Sequence, residues 1–363
     1  MTSLLGNLDW RSFLARPRLP SPSVEVLDAL YRKSSLISGA GGSIGSALAK
    51  RLAELGPPAL LLLDGSESRL YKLQQAWAAG GIPGPMTTVL GNITDGTLVD
   101  EVFSVHVPNI VFHTAAYKQV ALLEEQPLAA IRNNAFGTLM LCRAALAHGA
   151  RIVMVSTDKA VQPASVMGAT KRLAELIVLA AGGAVLRLGN VLASRDSVTE
   201  TFALQLALGR PLTVTDPAAR RFFMTLDEAV NLLLIASAEP APALLVPEIA
   251  EPSYVTDLAH FMAHSLAPGR NVDLDFTCPR PGDKDPDRFW SPAESPRPAI
   301  HAGLLSIQPP AGTLDQLLPS LTALQTAVDA RDLPAAINLL CALVPDYTPG
   351  PAITTLIGSR VAP

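Results

Sequence analysis

Cysteine is scarce in this sequence of 363 residues, in which only Cys142, Cys278 and Cys341 occur. They are odd in number and far apart, which excludes a disulfide framework and a cysteine metal cluster. This usage favours a reducing compartment, so we expect a cytoplasmic protein. The six histidines show no ligand spacing either, and no metal site is expected.

An excess of charge and a long apolar run are also missing. The chain has 28 basic and 32 acidic residues, a net charge of −4, and no basic stripe that could neutralise the phosphates of a nucleic acid. No apolar run approaches the roughly 20 residues of a transmembrane helix. The N-terminal segment contains Asp9, Arg11 and Arg16 in place of a continuous apolar stretch, so we expect no signal peptide. Nucleic acid and a membrane span are therefore not expected.

Apolar residues, in contrast, are plentiful: 49% of the chain is hydrophobic and 17% charged, which indicates a packed globule. From about residue 34 to residue 190, short apolar runs alternate with longer amphipathic ones, as in βαβ units. Predicted strands cover residues 35–38, 59–64, 87–90, 110–114, 151–156 and 184–188. Predicted helices cover residues 44–55, 66–79, 127–148 and 166–181. Because the strands are mostly continuous apolar runs, they predict an α/β fold with a doubly wound parallel sheet of the Rossmann type.

A glycine-rich turn, within SGAGGSIGSAL, joins the first predicted strand to the first helix. Gly39 permits a sharp turn, Gly42 lets a pyrophosphate approach bare backbone, and Gly45 lets helix and strand pack tightly. The helix N-terminus then attracts the anion. Asp64 ends the second strand, where a carboxylate accepts from a ribose 2′-hydroxyl and repels a 2′-phosphate. The pattern predicts a dinucleotide site that favours NAD over NADP, a preference that nearby Arg69 could soften.

These features divide the chain into four predicted parts. Residues 1–33 form an N-terminal arm, residues 34–190 the NAD-binding Rossmann domain, and residues 191–290 a smaller substrate-binding lobe. Residues 291–363 form a C-terminal extension, in which the proline-rich stretch 291–310 predicts a linker and 314–343 predicts one or two helices. In the arm, Trp10, Phe13 and Leu14 are expected to pack against the body or a second subunit.

A polar triplet follows the fifth predicted strand directly. VMVSTDK runs from a buried strand into Thr157, Asp158 and Lys159, and open α/β sheets present their chemistry at the carboxyl ends of strands. This position favours a functional role over an exposed ion pair. Lys171 lies four residues after Met167 and thus on the same helix face. We therefore expect the catalytic groups here.

The sequence is similar to a known family in five motifs, which occur in the family's order. The motifs are SGAGGSIGSAL, HTAAYKQVALLE, VSTDKAVQPASVMGATKRLAE, RLGNVLASRDSV and PLTVTDPAARRFFMTLDEAV. They resemble the CapD-like polysaccharide-biosynthesis branch of the extended short-chain dehydrogenase/reductases over about residues 34–287, and LVPDYTPG at 343–350 also matches. Members are chiefly nucleotide-sugar 4,6-dehydratases acting on UDP-N-acetylglucosamine, with some nucleotide-sugar epimerases. The large members are membrane-bound, and this chain would be a soluble, catalytic-domain form.

The resemblance implies that NAD binds along these motifs. The glycine-rich turn would hold the pyrophosphate, Asp64 the adenosine ribose and Lys171 the nicotinamide ribose. The implied cofactor residues are Gly39, Gly41, Gly42, Ser43, Ile44, Gly45, Asp64, Ser66, Arg69, Asn92, Ile93, Ala115, Ala116, Lys118, Ser156 and Lys171.

A UDP-sugar substrate and a homo-oligomer are also implied by the resemblance. The implied substrate residues are Lys118, Asn190, Val191, Arg195, Thr213, Arg221 and Arg280. Of the adjacent Arg220 and Arg221, the family pattern favours Arg221. The implied catalytic residues are Thr157, Asp158, Lys159, Met167 and Lys171.

In such a dehydratase, NAD takes hydride from C4 of the sugar, water is eliminated across C5 and C6, and the hydride returns to C6. We expect Lys159 to take the C5 proton as a neutral amine, because the positive nicotinamide and Lys171 would lower its pKa. Asp158, protonated, would give its proton to the departing C6 hydroxyl. Thr157 would orient the C4 hydroxyl.

Two departures from the family pattern keep alternatives open. Met167 stands where the ordinary family motif Tyr-x-x-x-Lys has its tyrosine, although the large membrane-bound dehydratases share the methionine. The loop over residues 281–286 also differs from relatives. The alternatives are a nucleotide-sugar 4- or 5-epimerase and, from another class, a catalytically silent NAD-binding scaffold.

Overall fold

The computed structural model describes residues 5–80, 84, 86–278, 282 and 287–361, with side chains as far as residue 357. The elements up to the middle of the chain are α1 (Trp10–Leu14), α2 (Val24–Tyr31), β1 (Ser35–Ser38), α3 (Ser43–Ala53), β2 (Leu60–Asp64), α4 (Glu67–Gly80), β3 (Met86–Leu90), α5 (Gly96–His106), β4 (Ile110–His113), α6 (Val120–Glu125), α7 (Pro127–Ala130), a π-helical turn (Ile131–Phe136), α8 (Gly137–Ala147), β5 (Arg151–Thr157), a 3₁₀ turn (Asp158–Ala160), α9 (Val166–Ala180) and β6 (Ala184–Leu188). The remaining elements are β7 (Asn190–Val191), α10 (Val198–Ala207), β8 (Leu212–Val214), β9 (Arg220–Arg221), β10 (Phe223–Met224), α11 (Leu226–Ala236), β11 (Ala243–Pro247), β12 (Ser253–Tyr254), α12 (Val255–Leu266), β13 (Leu274–Phe276), β14 (Arg297–Pro298), β15 (Leu304–Ile307), α13 (Leu314–Asp329), α14 (Leu333–Leu343) and α15 (Pro351–Val361).

A nine-stranded sheet forms the centre of the molecule, in the order β14-β15-β11-β6-β5-β4-β1-β2-β3. In this order, the neighbouring strands from β11 through β6, β5, β4, β1 and β2 to β3 pair in parallel. Strand β15 pairs antiparallel with both β11 and β14. All residues of β1, β2, β4, β6 and β11 are buried, as continuous apolar strands require when helices cover both faces. The predicted α/β fold with its parallel sheet is confirmed.

All six predicted strands form, as β1 to β6, and their ends lie within one residue of the prediction. Gly56 and Gly149, which follow helices α3 and α8, adopt φ angles of 71° and 66°, a conformation that favours glycine at helix ends. The single helix expected over residues 127–148 is interrupted by the π-helical turn, because no sequence period distinguishes such a turn from a continuous helix.

The sheet uses more of the chain than residues 34–190. Strand β11 adds next to β6, and β15 and β14 extend that edge. Two of these strands, β14 and β15, lie inside the proline-rich stretch 291–310 that was predicted as a linker, so this stretch also contributes strands to the sheet. The apolar run Leu304 to Ile307 is short and lies among several prolines, so the sequence pattern did not indicate that it forms a strand at the edge of the sheet.

A second, smaller core lies beside the sheet. It is built from α1, α10, α12 and short strands, with buried Phe202, Leu258 and Met262. Trp10 and Phe13 of the N-terminal arm pack into it, with ring centroids 5.7 Å and 5.5 Å from Phe261. The arm therefore packs against the body, as the aromatic residues predict. None of the helices in the described ranges is both long and apolar enough to span a bilayer.

Candidate active site

A cleft of about 1210 Å³ opens at the carboxyl ends of the parallel strands. Its lining comes from the segments that follow β1, β2, β3, β4, β5 and β6, and from the N-terminal turn of α9. Chain segments that are distant in the sequence meet here because parallel strands end at one edge of the sheet. Among the described residues, no three His, Cys, Asp or Glu side chains come together as a metal site requires.

The glycine-rich turn between β1 and α3 forms one wall of the cleft. Gly39 has a φ angle of 74°, and a Cβ added there would lie 2.6 Å from the amide nitrogen of Ala115. A Cβ at Gly45 would lie 2.2 Å from the carbonyl oxygen of Gly39. Helix α3 begins after Gly42, which has no side chain to cover the first N–H groups. The turn thus presents bare backbone and a helix N-terminus, which fits a dinucleotide pyrophosphate.

Asp64 lies beside this turn at the end of β2. Its Oδ2 accepts a hydrogen bond of 2.9 Å from the Gly41 N–H, and its Oδ1 accepts one of 2.9 Å from the Ser66 N–H. The side chain is buried yet borders the cleft. Each carboxylate oxygen has a further lone pair, so Asp64 can hold the turn and still accept from a ribose hydroxyl.

A loop from the smaller lobe, residues 193–197, bridges the mouth of the cleft; we call it the bridging loop. The Arg195 N–H donates to Ser43 Oγ at 2.9 Å, and the Arg195 guanidinium donates to the carbonyl oxygen of Gly41. On the other side, Lys118 donates to the Arg195 carbonyl oxygen. Burial lowers the pKa of Lys118, although Asp196 and Glu200 oppose this. Arg195 and Lys118 therefore place two positive groups beside the turn.

The polar triplet stands where β5 enters its 3₁₀ turn. Asp158 is fully buried, and its Oδ1 accepts from Thr157 Oγ1 at 2.8 Å and from Lys159 Nζ at 3.0 Å. Thr157 and Lys159 border the cleft, whereas Asp158 lies behind them. Asp158 is therefore connected to the cleft by its hydrogen bonds with Thr157 and Lys159, and it does not itself border the cleft in which the C6 hydroxyl was expected to meet it.

Asp287 completes this cluster from the far side. Its Oδ2 lies 3.6 Å from Lys159 Nζ and 3.1 Å from Arg221 Nε. Burial, and then the charge of Asp158, raises the pKa of Asp287 to about 6, against the opposing effect of Lys159 and Arg221. Asp287 could not be identified from the sequence, since it follows the loop at 281–286 that departs from the family pattern.

The charge state expected for Lys159 is wrong for this structure. Burial alone would lower the pKa of Lys159, but the carboxylates of Asp158 and Asp287 outweigh it and hold that pKa above its ordinary value. The sequence showed Lys171 as the neighbouring charge but could not show the two carboxylates. Lys159 is therefore a cation in the ligand-free protein.

Helix α9 carries the second group of predicted catalytic residues. Its N-terminus is fixed by Ser165, which accepts from the Gly168 N–H, and by Glu124, whose Oε1 accepts from the Val166 N–H at 2.7 Å. Met167 borders the cleft and is nearly buried. Lys171 Nζ donates to the Val155 carbonyl oxygen at 2.8 Å, and burial lowers the pKa of Lys171 to about 8 despite Glu175.

The π-helical turn supports the same region. Asn134 donates to the Tyr117 carbonyl oxygen at 3.0 Å and to Thr170 Oγ1 at 3.1 Å, and it accepts from the Tyr117 N–H at 2.8 Å. It thus connects the loop after β4 to helix α9. Such turns often occur at functional sites, but their presence has no simple sequence signal.

Most predicted site residues border this one cleft. Those that do are Gly39, Gly42, Ser43, Ile44, Gly45, Asp64, Ser66, Arg69, Asn92, Ile93, Ala115, Ala116, Lys118, Ser156, Thr157, Lys159, Met167, Lys171, Asn190, Val191 and Arg195. Gly41 and Asp158 lie behind the lining and contact it through hydrogen bonds.

Three predicted substrate residues are not among those that border the cleft. Thr213 lies in a separate groove, where its hydroxyl accepts from Gln205 at 2.8 Å, because its side chain projects from the outer face of β8. Arg221 faces Asp287, while its neighbour Arg220 lies over the ring of Tyr254 at 4.1 Å. Arg280 lies outside the described residues.

Comparison with known proteins places the chain among related sequences. A family model described as polysaccharide biosynthesis protein matches residues 35–309. The chain is 35% identical to the probable polysaccharide biosynthesis protein EpsC of Bacillus subtilis over 306 residues, which cover 80% of this chain and 51% of EpsC. It is 36% identical to the capsular polysaccharide biosynthesis protein CapD of Staphylococcus aureus over 291 residues, covering 77% of this chain and 49% of CapD. The chain thus spans about half the length of these two relatives.

Other similar proteins carry more specific descriptions. A UDP-glucose 4-epimerase of Rickettsia canadensis is 35% identical over 218 residues, covering 56% of this chain and 62% of that protein. The X-ray structure of Pen from Bacillus thuringiensis covers 78% of this chain and 92% of Pen, with a TM-score of 0.70 and 25% identity. DesIV, a dTDP-glucose 4,6-dehydratase from Streptomyces venezuelae solved with NAD, covers 69% of this chain and 86% of DesIV, with a TM-score of 0.59 and 19% identity.

Proposed function

Because the chain belongs to the family of polysaccharide biosynthesis proteins, we propose that it is an NAD-dependent nucleotide-sugar 4,6-dehydratase acting on UDP-N-acetylglucosamine or a related UDP-hexose. The observation that carries this proposal is the cluster of Thr157, Asp158 and Lys159 at the end of β5, in one cleft with the glycine-rich turn. Elimination of water needs groups that accept and return protons beside a hydride carrier, and in this cleft such groups border a turn that fits a dinucleotide pyrophosphate.

The cofactor end of the cleft favours NAD. The bare turn at Gly39 to Gly45 would hold the pyrophosphate, with Arg195 and Lys118 adding positive charge beside it. Asp64 would accept from the adenosine ribose and repel the 2′-phosphate of NADP. Lys171, near Met167, would meet the nicotinamide ribose. When bound, NAD would take hydride from C4 of the sugar and return it to C6.

The protein's own groups would move the protons. Thr157, which borders the cleft, would receive the C4 hydroxyl proton on Oγ1 while passing its own proton to Asp158, 2.8 Å away. Met167 has no ionisable group, so it takes no part in this transfer. Lys159, once neutral, would take the C5 proton and give it to the departing C6 hydroxyl, which leaves as water. Asp158 would finally return its proton to C5 through Lys159, 3.0 Å away, so that all protons balance.

An experiment with UDP-hexoses in deuterated water tests the proposal. The purified protein, supplied with NAD, should convert at least one UDP-hexose to a product that has lost one water and carries solvent deuterium at C5. Asp158→Asn should bind NAD as before and lose turnover by about 100-fold or more, whereas the exposed Asp100→Asn should change neither. Absence of any water loss across the panel would contradict the proposal.

A nucleotide-sugar epimerase is the second candidate, and the 35% identity with a UDP-glucose 4-epimerase favours it. It would use the same oxidation at C4 but retain the C6 oxygen. The same panel therefore separates the two, because an epimer has the mass of its substrate. A silent scaffold would bind NAD, leave every UDP-hexose unchanged and tolerate substitution of Lys159.

We make two further proposals: the family resemblance implies that the protein forms a homo-oligomer, and its few, scattered cysteines indicate that it works in the cytoplasm. Light scattering of the purified protein would test the first, since a monomeric mass at working concentration contradicts it. Cell fractionation would test the second.

A further inference from the structure

We infer that Asp287 is the proton-holding partner of Lys159: it takes a proton from the Lys159 ammonium and thereby converts that lysine to the amine that removes the C5 proton. The inference rests on the proposed function, because it supplies a step that the dehydratase reaction lacks. In the ligand-free protein Lys159 is a cation, and a cation cannot act as a base. Some neighbouring group must hold its proton during the elimination.

The geometry identifies Asp287 as that group. Lys159 Nζ lies between two buried carboxylates, 3.0 Å from Asp158 Oδ1 and 3.6 Å from Asp287 Oδ2. Asp158 is already needed for the C4 proton through Thr157. Asp287 Oδ2 forms an ion pair with Arg221 Nε at 3.1 Å, and a hydrogen bond with Asp158 favours the protonated form of Asp287. Its carboxyl group therefore lies beside the ammonium with a neighbour that stabilises the proton once it has been transferred.

A buried network holds Asp287 in this place. Arg187, fully buried in β6, donates to the carbonyl oxygen of Phe289 at 2.8 Å and pairs with Glu294 at 3.1 Å. The Phe289 ring packs on Phe222 with a centroid distance of 4.4 Å. These contacts fix the backbone just after Asp287 to the sheet. The core thus helps to set the position of its carboxyl group.

The charges in the cluster favour a shared proton. Four ionisable groups face one another: Asp158 and Lys159 after β5, Arg221 in β9, and Asp287. Burial and Asp158 raise the pKa of Asp287 to about 6. This value is closer to the pKa of Lys159 than the pKa of an exposed carboxyl group would be. A smaller difference makes transfer of the proton from nitrogen to oxygen less unfavourable.

The step balances in atoms and charge. An N–H bond of the Lys159 ammonium breaks and an O–H bond forms on Asp287, so a cation and an anion become a neutral amine and a neutral acid. The amine then takes the C5 proton and passes it to the C6 hydroxyl, which leaves as water. At the end Asp287 returns its proton to Lys159. No outside reductant, oxidant or proton donor is required.

Asp287→Asn is the test, because it keeps the shape and removes the proton acceptor. The expected result is normal reduction of bound NAD by the UDP-hexose, seen in nicotinamide absorbance, with exchange of solvent deuterium into C5 slowed about 100-fold or more. The control, Asp100→Asn, should exchange like the unchanged protein, and Asp287→Glu should restore part of the rate. If Asp287→Asn exchanges at the unchanged rate, the inference is wrong.

The pH dependence gives a second readout that a structural role would not move. In the unchanged protein, C5 exchange should fall as the pH drops through about 6, because protonated Asp287 can accept nothing from Lys159. In Asp287→Asn, Lys159 must lose its proton to water, so the exchange rate should instead climb through the alkaline range. Identical profiles would contradict the inference.

A measurement without substrate separates this inference from the proposed function. Carboxyl-labelled aspartate in the unchanged, ligand-free protein should show Asp287 titrating near pH 6 by NMR. An ordinary titration near pH 4 would refute the inference even if the variant fails to fold. Failure of the proposed function would instead appear as no NAD reduction by any UDP-hexose in the unchanged protein.

Discussion

Arg187 and Glu175 form a doubly hydrogen-bonded ion pair in the interior, with Nε to Oε1 at 2.9 Å and Nη2 to Oε2 at 3.0 Å, and neither side chain is exposed. Burial alone would raise the pKa of Glu175, but Arg187, Arg172 and Ser156 outweigh it and lower that pKa to about 2. The pair joins helix α9, which carries Lys171, to strand β6.

Glu175→Gln should destabilise the protein strongly, by about 3–5 kcal/mol, because it leaves the Arg187 charge buried with half its compensation. Denaturant unfolding measures the change in the free energy of unfolding. The exposed Glu101→Gln serves as a control and should change it by less than about 0.5 kcal/mol. A loss for Glu175→Gln as small as that of the control would contradict the interpretation.

Gly45→Ala should abolish cofactor binding. Its Cβ would lie 2.2 Å from the Gly39 carbonyl oxygen, so the turn must open where the pyrophosphate would sit. Gly350→Ala, whose Cβ meets nothing within 4 Å, is the matched control and should bind NAD normally. Calorimetric titration with NAD provides the measurement, and equal affinity in both variants would exclude the turn as the binding site.

Asp64→Asn should weaken NAD binding by about tenfold or more, because the carboxylate accepts charge-assisted hydrogen bonds from Gly41 and Ser66 that an amide replaces poorly. It should also narrow the preference for NAD over NADP, since the repelling charge is gone. Dissociation constants for both cofactors test this, with Asp100→Asn alongside. An unchanged ratio of the two constants would remove Asp64 from the selectivity.

The parts of the site that follow one strand could be predicted from the sequence. The residues at each strand end follow that strand directly in the sequence. Local sequence patterns alone therefore predicted the glycine-rich turn, Asp64 and the triplet after β5. Asp287 could not be predicted in this way, since no local pattern links it to Lys159 and the two meet only because Arg187 holds the segment around Phe289 against the sheet. The charge of Lys159 was missed for the same reason: it depends on carboxylates brought by distant chain.

Thr157→Val should lower turnover by about 100-fold, because it removes the hydroxyl that connects the cleft to Asp158. Thr157→Ser retains the hydroxyl and should keep most of the rate. Met167→Leu, a substitution of similar volume, should also keep the rate within about tenfold, since the thioether transfers no proton. Steady-state turnover rates with the active UDP-hexose test this prediction. Equal losses of turnover in Thr157→Val and Met167→Leu would argue against the proton-transfer role of Thr157.

Lys171 should make stability depend on pH. Its folded pKa of about 8 lies below its ordinary value of 10.5, so between these values the unfolded chain binds more protons and the free energy of unfolding rises with pH. Lys171→Met should remove this rise, and should be more stable than the unchanged protein by up to about 3 kcal/mol below pH 8. The exposed Lys72→Met is the control. The prediction would be contradicted if the difference in the free energy of unfolding between Lys171→Met and the unchanged protein stayed constant from pH 7 to pH 10.

The antiparallel pairing of β15 with β11 decides where this chain can be shortened. All five residues of β11 are buried, and β15 occupies the hydrogen-bonding edge that β6 leaves vacant. A version truncated before Arg297 would expose the unpaired backbone N–H and C=O groups of β11, which is an apolar strand. An exposed apolar edge strand of this kind pairs readily with a strand of a second molecule. Such a fragment would keep every residue of the cleft and still be lost to aggregation.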